Sequence, residues 1–139
     1  MLMYHHTKNK GDLGVLKAQA DLCEKGYMIL TPLTEHASFD LVAYKDNVFK
    51  RIQVKYRALN SKGVLEVRFS SSYSTANGVM TNIVDKREID IYCVYCPQTD
   101  ACYYFDPSLF NKSIALRVET PKNNQKQNIL FACDYREVP

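Results

Sequence analysis

Asp40 stands near the start of one hydrophobic run, and Gln53-Val54-Lys55 lies near the end of the next. If the two runs are strands of one hairpin, Asp40 comes within reach of the far end of its partner. Side chains two apart on a strand share a face, so Gln53 and Lys55 then point the same way. A carboxylate and an amide oxygen gathered there suit Mg²⁺, which prefers carboxylate, carbonyl and water oxygens. Such an ion polarises a phosphodiester and helps generate hydroxide at neutral pH. Lys55 would hold the attacking water or offset charge on the phosphorus. A lysine desolvated at such a site has its pKa pulled down, while Asp40 pulls it back up. The competing reading is a polar strand face that carries no chemistry, since an aspartate followed by a polar-x-lysine strand also arises by chance.

The elements around these residues are legible from periodicity. Leu13, Leu16, Ala20 and Cys23 recur at helical spacing, and the pattern predicts a helix from Asp12 to Lys25. Asn9 or Asp12 is expected to cap its start, and Gly26 to end it. Tyr27-Leu30 reads as a short strand stopped by Pro32. Phe39-Tyr44 and Val48-Tyr56 read as strands joined by Lys45-Asp46-Asn47, a hairpin-turn signal. In the second strand Lys50, Ile52, Val54 and Tyr56 take one face, and Arg51, Gln53 and Lys55 the other. Val64-Phe69 reads as a third strand of the same meander. Ser70-Thr75 is polar, and Gly78-Asp85 is ambiguous. Ile89-Cys96 predicts a buried strand paired with Ala101-Phe105 through Gln98-Thr99-Asp100. A short helical turn follows Pro107, Ile114-Val118 is a further strand, and Asn123-Gln127 reads as a polar surface loop. One helix, a strand meander and more strands argue for α+β or α/β architecture.

With 139 residues, 46% hydrophobic and 24% charged, the chain reads as one soluble domain spanning 1–139. It has no apolar run of the ~20 residues that span a bilayer and no secretory signal, so a cytoplasmic, nucleoid-associated location is expected. The five cysteines lack framework spacing, which suits a reducing compartment. Cys93 and Cys96 have zinc-ligand spacing, but on a strand they face opposite ways. The net charge of +3 is a mild lean. Its distribution is more telling: Lys50, Arg51, Lys55, Arg57, Lys62 and Arg68 cluster with Glu66 as the only acid among them. Arg51, Arg57, Lys62 and Arg68 are the candidate contacts to a DNA backbone, although solvated strand edges often look the same.

The order Thr7-Lys8-Asn9-Lys10-Gly11-Asp12-Leu13-Gly14, an amphipathic helix, Lys25-Gly26-Tyr27, a loop, Phe39-Asp40-Leu41-Val42, then Arg51-Ile52-Gln53-Val54-Lys55 resembles the PD-(D/E)XK nuclease superfamily. It is particularly similar to the bacterial group I intron-encoded homing endonuclease branch. Asp90-Ile91-Tyr92-Cys93-Val94-Tyr95, Tyr103-Tyr104-Phe105, Leu116-Arg117 and Asn123-Asn124-Gln125-Lys126 extend the likeness over nearly the whole chain. The resemblance implies a restriction-endonuclease-like fold, a central mixed β-sheet flanked by α-helices. It also implies Mg²⁺-dependent hydrolysis of double-stranded DNA by a homo-oligomer, a tetramer or a dimer. On this reading Asp40, Gln53 and Val54 form the metal set, and Asp40, Gln53, Lys55 and Asp12 the catalytic set.

Two departures stand out. Gln53 occupies a position that is Glu or Asp in most of the superfamily, so it brings oxygen without charge. Val15 takes the place of a first-helix glutamate; Asp12, one turn earlier, either replaces it or is a helix-start aspartate favoured by the dipole. Three readings follow: a sequence-specific homing endonuclease, a Holliday-junction resolvase or restriction-type nuclease, and a non-catalytic DNA-binding module with a decayed site.

Overall fold

The computed structural model describes residues 6–83, 85–119 and 129–139. Helix α1 spans His6–Glu24, and the strands that build the main sheet are β1 (Met28–Leu30), β2 (Leu41–Lys45), β3 (Val48–Tyr56), β7 (Ile91–Cys96) and β8 (Ala101–Phe105). Between β3 and β7 lie β4 (Val64–Arg68), β5 (Ser70–Thr75) and β6 (Gly78–Ile83), and after β8 come β9 (Ser113–Arg117) and β10 (Leu130–Phe131). The main sheet has the order β1-β2-β3-β7-β8, in which β3 and β7 are parallel and the other neighbours antiparallel. A second sheet, β10-β9-β4, covers one of its faces, and β5-β6 forms a separate hairpin. This is the mixed-sheet α+β fold expected, with a refinement: α1 flanks one face of the main sheet, and the other is covered by strands.

Alternation along β3 and β7 divides the core in two. Ile52, Val54, Ile91, Cys93 and Tyr95 pack with Ala18 and Leu22 of α1. Tyr92, Val94 and Cys96 pack with Leu65, Val67, Ile114 and Leu116 of the second sheet. Cys93 and Cys96 thus belong to opposite layers, as their strand spacing implies.

Several expectations need correction. The apolar stripe on α1 is not its buried face: Leu13 is 41% and Leu16 61% exposed, and Ala20 and Cys23 are exposed too. The helix seats itself through Gly14, Ala18 and Leu22, each four residues apart and all buried. The physical reason is close approach. A Cβ at Gly14 would lie 3.5 Å from the Cβ of Tyr56 on β3, so small residues form the contact face while the large ones sit beside it. Asn9 and Asp12 lie inside the helix, which already includes His6, so neither caps it. Its end is as predicted. Gly26, at φ +86°, lets Gly26 N–H bond the Cys23 carbonyl and Tyr27 N–H bond that of Leu22, both at 3.0 Å. These are the paired bonds that close a helix on a left-handed residue.

Val64–Arg68 does not extend the meander. It pairs with β9 and forms the second layer, because Leu65 and Val67 have a full apolar face to bury and β3 already has β2 and β7 on its two edges. The polar stretch Ser70–Thr75 and the ambiguous Gly78–Asp85 segment form one hairpin as far as Ile83. The Asn123–Gln127 loop lies outside the described residues.

Candidate active site

The hairpin that positions the site closes as its sequence requires. Asp46 and Asn47 both adopt positive φ, 52° and 64°, the conformation of a two-residue turn whose twist matches its strands. That turn fixes the register Leu41↔Ile52 and Val42↔Arg51. One step beyond β2, Asp40 then lies opposite Gln53, its N–H donating to the Ile52 carbonyl at 2.9 Å. Its carboxylate turns inward and accepts the Val54 N–H through Oδ2 at 2.8 Å. Asp40, Gln53 and Lys55 are each half-buried and on one face of the sheet.

Electrostatics at this face are strained in opposite directions. Burial raises the Asp40 carboxyl above its ordinary range, against the lowering pull of the Val54 N–H and of Lys55. Burial likewise lowers the Lys55 ammonium, helped by Arg57 beside it and opposed by Asp40. The ion pairs among the described residues are Lys17–Asp100, Lys25–Asp21, Arg51–Asp90 and Arg87–Asp85. Asp40 and Lys55 therefore sense one another without closing into an ion pair.

The donors suit a hard divalent cation. Oδ2 of Asp40 is engaged by Val54, leaving Oδ1, and the Gln53 amide makes no hydrogen bond among the described residues. Since Val54 N–H points toward Asp40, strand geometry sends the Val54 carbonyl toward the same edge. Carboxylate, amide and carbonyl oxygens fit Mg²⁺, which retains several waters. No group of three His, Cys, Asp or Glu side chains gathers among the described residues; a cation held here would draw on Gln53 and a backbone oxygen beside the single carboxylate of Asp40. Asp12 is not brought to the trio: it is exposed on α1, which packs against the opposite face of the sheet, that of Ile52 and Val54.

The basic residues do not form one patch. Arg51 is clamped by Asp90 through Nε at 3.0 Å and Nη2 at 3.1 Å, and Nη2 also donates to the Arg87 carbonyl at 3.0 Å. Arg57 lies next to Lys55 and donates to its neighbour's carbonyl, that of Tyr56. Lys62 is exposed in the turn before β4, and Arg68 ends that strand on the exposed face that it shares with Glu66.

Two features escaped sequence reading. Asp90 joins β3 to β7 by its clamp on Arg51, and the signal was a lone acid just ahead of an apolar strand. Ser38, two residues before Asp40, donates to Glu88, tying the loop that carries Asp40 to the turn before β7. Nothing in the sequence pairs those two.

A search of solved structures finds a bacterial homing endonuclease, I-Ssp6803I, that is similar in fold: TM-score 0.77 and 24% identity, over 95% of this chain and 89% of that one. No curated protein matches. The family model for PD-(D/E)XK endonucleases matches residues 5–138. A match over nearly the whole chain shows that it belongs to the PD-(D/E)XK endonuclease family.

Proposed function

We propose that this nuclease is a sequence-specific DNA endonuclease of the intron-homing type, making double-strand breaks by Mg²⁺-dependent phosphodiester hydrolysis. The observation that carries the reading is the half-buried face shared by Asp40, Gln53 and Lys55, with neither Asp40 nor Lys55 in an ion pair among the described residues. Family membership supports nuclease chemistry with a divalent ion. Double-strand cutting and homing are the finer steps, supported by the likeness to I-Ssp6803I.

On this reading Asp40, Gln53 and the Val54 carbonyl hold the cation, which when bound polarises the scissile phosphate and lowers the pKa of water. Lys55 donates to the attacking water or to the phosphate oxygen as negative charge grows there. Its lowered pKa keeps it responsive to that charge. Asp40 Oδ2 stays fixed by Val54, so its other oxygen is aimed without a conformational search.

Cutting both strands of a duplex takes more than one such site, so the working form is a homo-oligomer, a tetramer or a dimer. The exposed Leu13, Leu16, Met28 and Leu30 give copies of the chain apolar surface to share. No helix among the described residues is long and apolar enough to cross a membrane; action at the nucleoid in the cytoplasm is part of the proposal.

The test is incubation with random duplex, intron-homing-site duplex and branched DNA, each with Mg²⁺ or EDTA, alongside light scattering for mass. Site-selective, Mg²⁺-dependent double-strand cutting supports the reading. Cutting of branched DNA without regard to sequence supports a junction resolvase. Tight DNA binding without cutting at any Mg²⁺ concentration leaves a decayed binding module, the reading that Val15 and Gln53 keep open.

A further inference from the structure

Tyr92 lies at the start of β7, in register beside Gln53 across the parallel β3–β7 pair. Its residue is wholly buried, yet among the described residues its hydroxyl is the buried side-chain oxygen without a hydrogen-bond partner. The ring is held on two sides, stacked on Phe105 with centroids 5.7 Å apart and edge-on to Phe69 at 5.2 Å. Apolar packing of this kind needs no oxygen, and a phenylalanine would fill the space. Leaving a buried hydroxyl unbonded is unfavourable, so the group calls for a partner.

The neighbours point to one. The register Gln53↔Tyr92 puts both side chains on the same face of the sheet, the face of Asp40 and Lys55, and the charges of Arg57 and Asp40 both act on the hydroxyl. Gln53, its cross-strand neighbour, also has an unbonded amide. An amide that offers its oxygen to a cation must turn its NH₂ elsewhere, and those hydrogens require an acceptor. A phenolic oxygen accepts as well as donates.

We propose that Tyr92 is a positioning residue: its hydroxyl accepts a hydrogen bond from Gln53 Nε2 and so directs Gln53 Oε1 at the divalent cation beside Asp40. The proposal rests on the metal-dependent reading given above. It also says how a neutral glutamine serves where a carboxylate is the rule. A carboxylate presents oxygen in either orientation, whereas an amide has a wrong way round; a cation in front repels the NH₂, and the Tyr92 hydroxyl behind gives that NH₂ an acceptor, so one orientation satisfies both.

The experiment measures Mn²⁺ binding by calorimetry on the DNA-free protein, for wild type, Tyr92→Phe, Gln53→Ala and the double variant. Tyr92→Phe should weaken Mn²⁺ binding by about tenfold or more, in the range of lost partners behind a metal ligand. Its thermal midpoint should change little, because the loss of one neutral hydrogen bond is offset by the removal of a buried hydroxyl whose own O–H has no acceptor. In the Gln53→Ala background the same change should have no further effect on Mn²⁺. In ¹⁵N-labelled protein the Gln53 side-chain amide resonance, assigned by its loss in Gln53→Ala, should shift in Tyr92→Phe.

Unchanged Mn²⁺ affinity in Tyr92→Phe overturns the assignment. So does a loss that persists when Gln53 is absent, which would place the hydroxyl's partner elsewhere, with Arg57 the nearest alternative. A large drop in stability would mean that the hydroxyl serves the core, and overturns it as well. Failure of the underlying metal reading is distinguishable, because wild type itself would then bind no Mn²⁺.

Discussion

Replacing Asp40 with asparagine removes one charge and almost nothing else. The backbone bond from Asp40 to Ile52 at 2.9 Å survives, and the new amide oxygen can accept the Val54 N–H that Oδ2 accepts at 2.8 Å. A hydrogen bond to a charged acceptor contributes about 1.5–3 kcal/mol and a neutral one about 0.5–1.5, so the swap weakens this contact by roughly 1 kcal/mol. Desolvation acts the other way. Burial holds the Asp40 carboxyl above its ordinary range, so its contribution to stability is full below the unfolded-state pKa and lost as pH rises through the folded value. At neutral pH the ionised carboxylate works against the metal-free fold, and asparagine relieves that. The two effects oppose each other, leaving a net change within about 1 kcal/mol and a midpoint shift of no more than about 5 °C. Cleavage, by contrast, should fall on the order of 10³-fold, because the cation loses its charged ligand. The assay pairs melting curves without divalent ions, from about pH 4 to 8, with Mg²⁺-dependent cleavage and DNA binding in EDTA. Asp40→Asn should gain on wild type as pH rises, and bind DNA as well. Wild-type cutting by the variant, or a stability deficit that grows with pH, would refute the site.

Outcomes are also expected at four other residues. Gln53→Ala should lose on the order of 10²-fold in activity, whereas Gln53→Glu should bind Mg²⁺ at least as tightly and retain some cleavage; a Mg²⁺ titration of both separates a ligand from polar filler. Arg57→Ala should weaken binding to all DNA sequences alike and lower the salt slope by about 1. Arg51→Ala should instead lower the melting midpoint slightly, as the loss of a partly exposed ion pair does. That penalty should fade in acid, since Arg51 holds the Asp90 carboxyl below its usual range and its contribution disappears as pH falls through the depressed value. Gly14→Ala should stabilise the protein by about 0.5–1 kcal/mol, as the new Cβ meets Tyr56 and Val54 atoms at 3.5–3.7 Å, ordinary contact distances. A lower melting midpoint in Gly14→Ala would mean that α1 cannot yield even that much space.

Where local geometry decides, the sequence was sufficient. The Asp46-Asn47 turn, the alternation along β3 and the glycine that ends α1 each follow from backbone rules acting over a few residues, and together they placed Asp40 against Gln53 and Lys55. Where partners are distant, it was not. The face of α1 was misread because large apolar side chains dominate a periodicity count, while Gly14 and Ala18 owe their burial to a strand more than thirty residues away. The second sheet was missed for the same reason: Leu65 and Val67 announce a buried face but not against what. The pairing of Arg51 with Asp90, across 39 positions of chain, has no local signal either. Tyr92 looked like core, which its ring is; only the placement of its oxygen sets it apart.

The bonds that assemble this pocket differ greatly in how much chain they enclose. Asp40 to Val54 closes a loop of 14 positions, while Arg51 to Asp90 closes one of 39. Short loops close sooner and at less entropic cost. During synthesis, then, the acidic half of the pocket can form as a hairpin while the segment bearing Tyr92 is still on the ribosome. The wall beside Gln53 arrives only when β7 docks, after β4, β5 and β6 have emerged. On the proposed reading, a nascent chain carries the Asp40 carboxylate in place well before the wall beside Gln53 is complete, and competence comes late in synthesis.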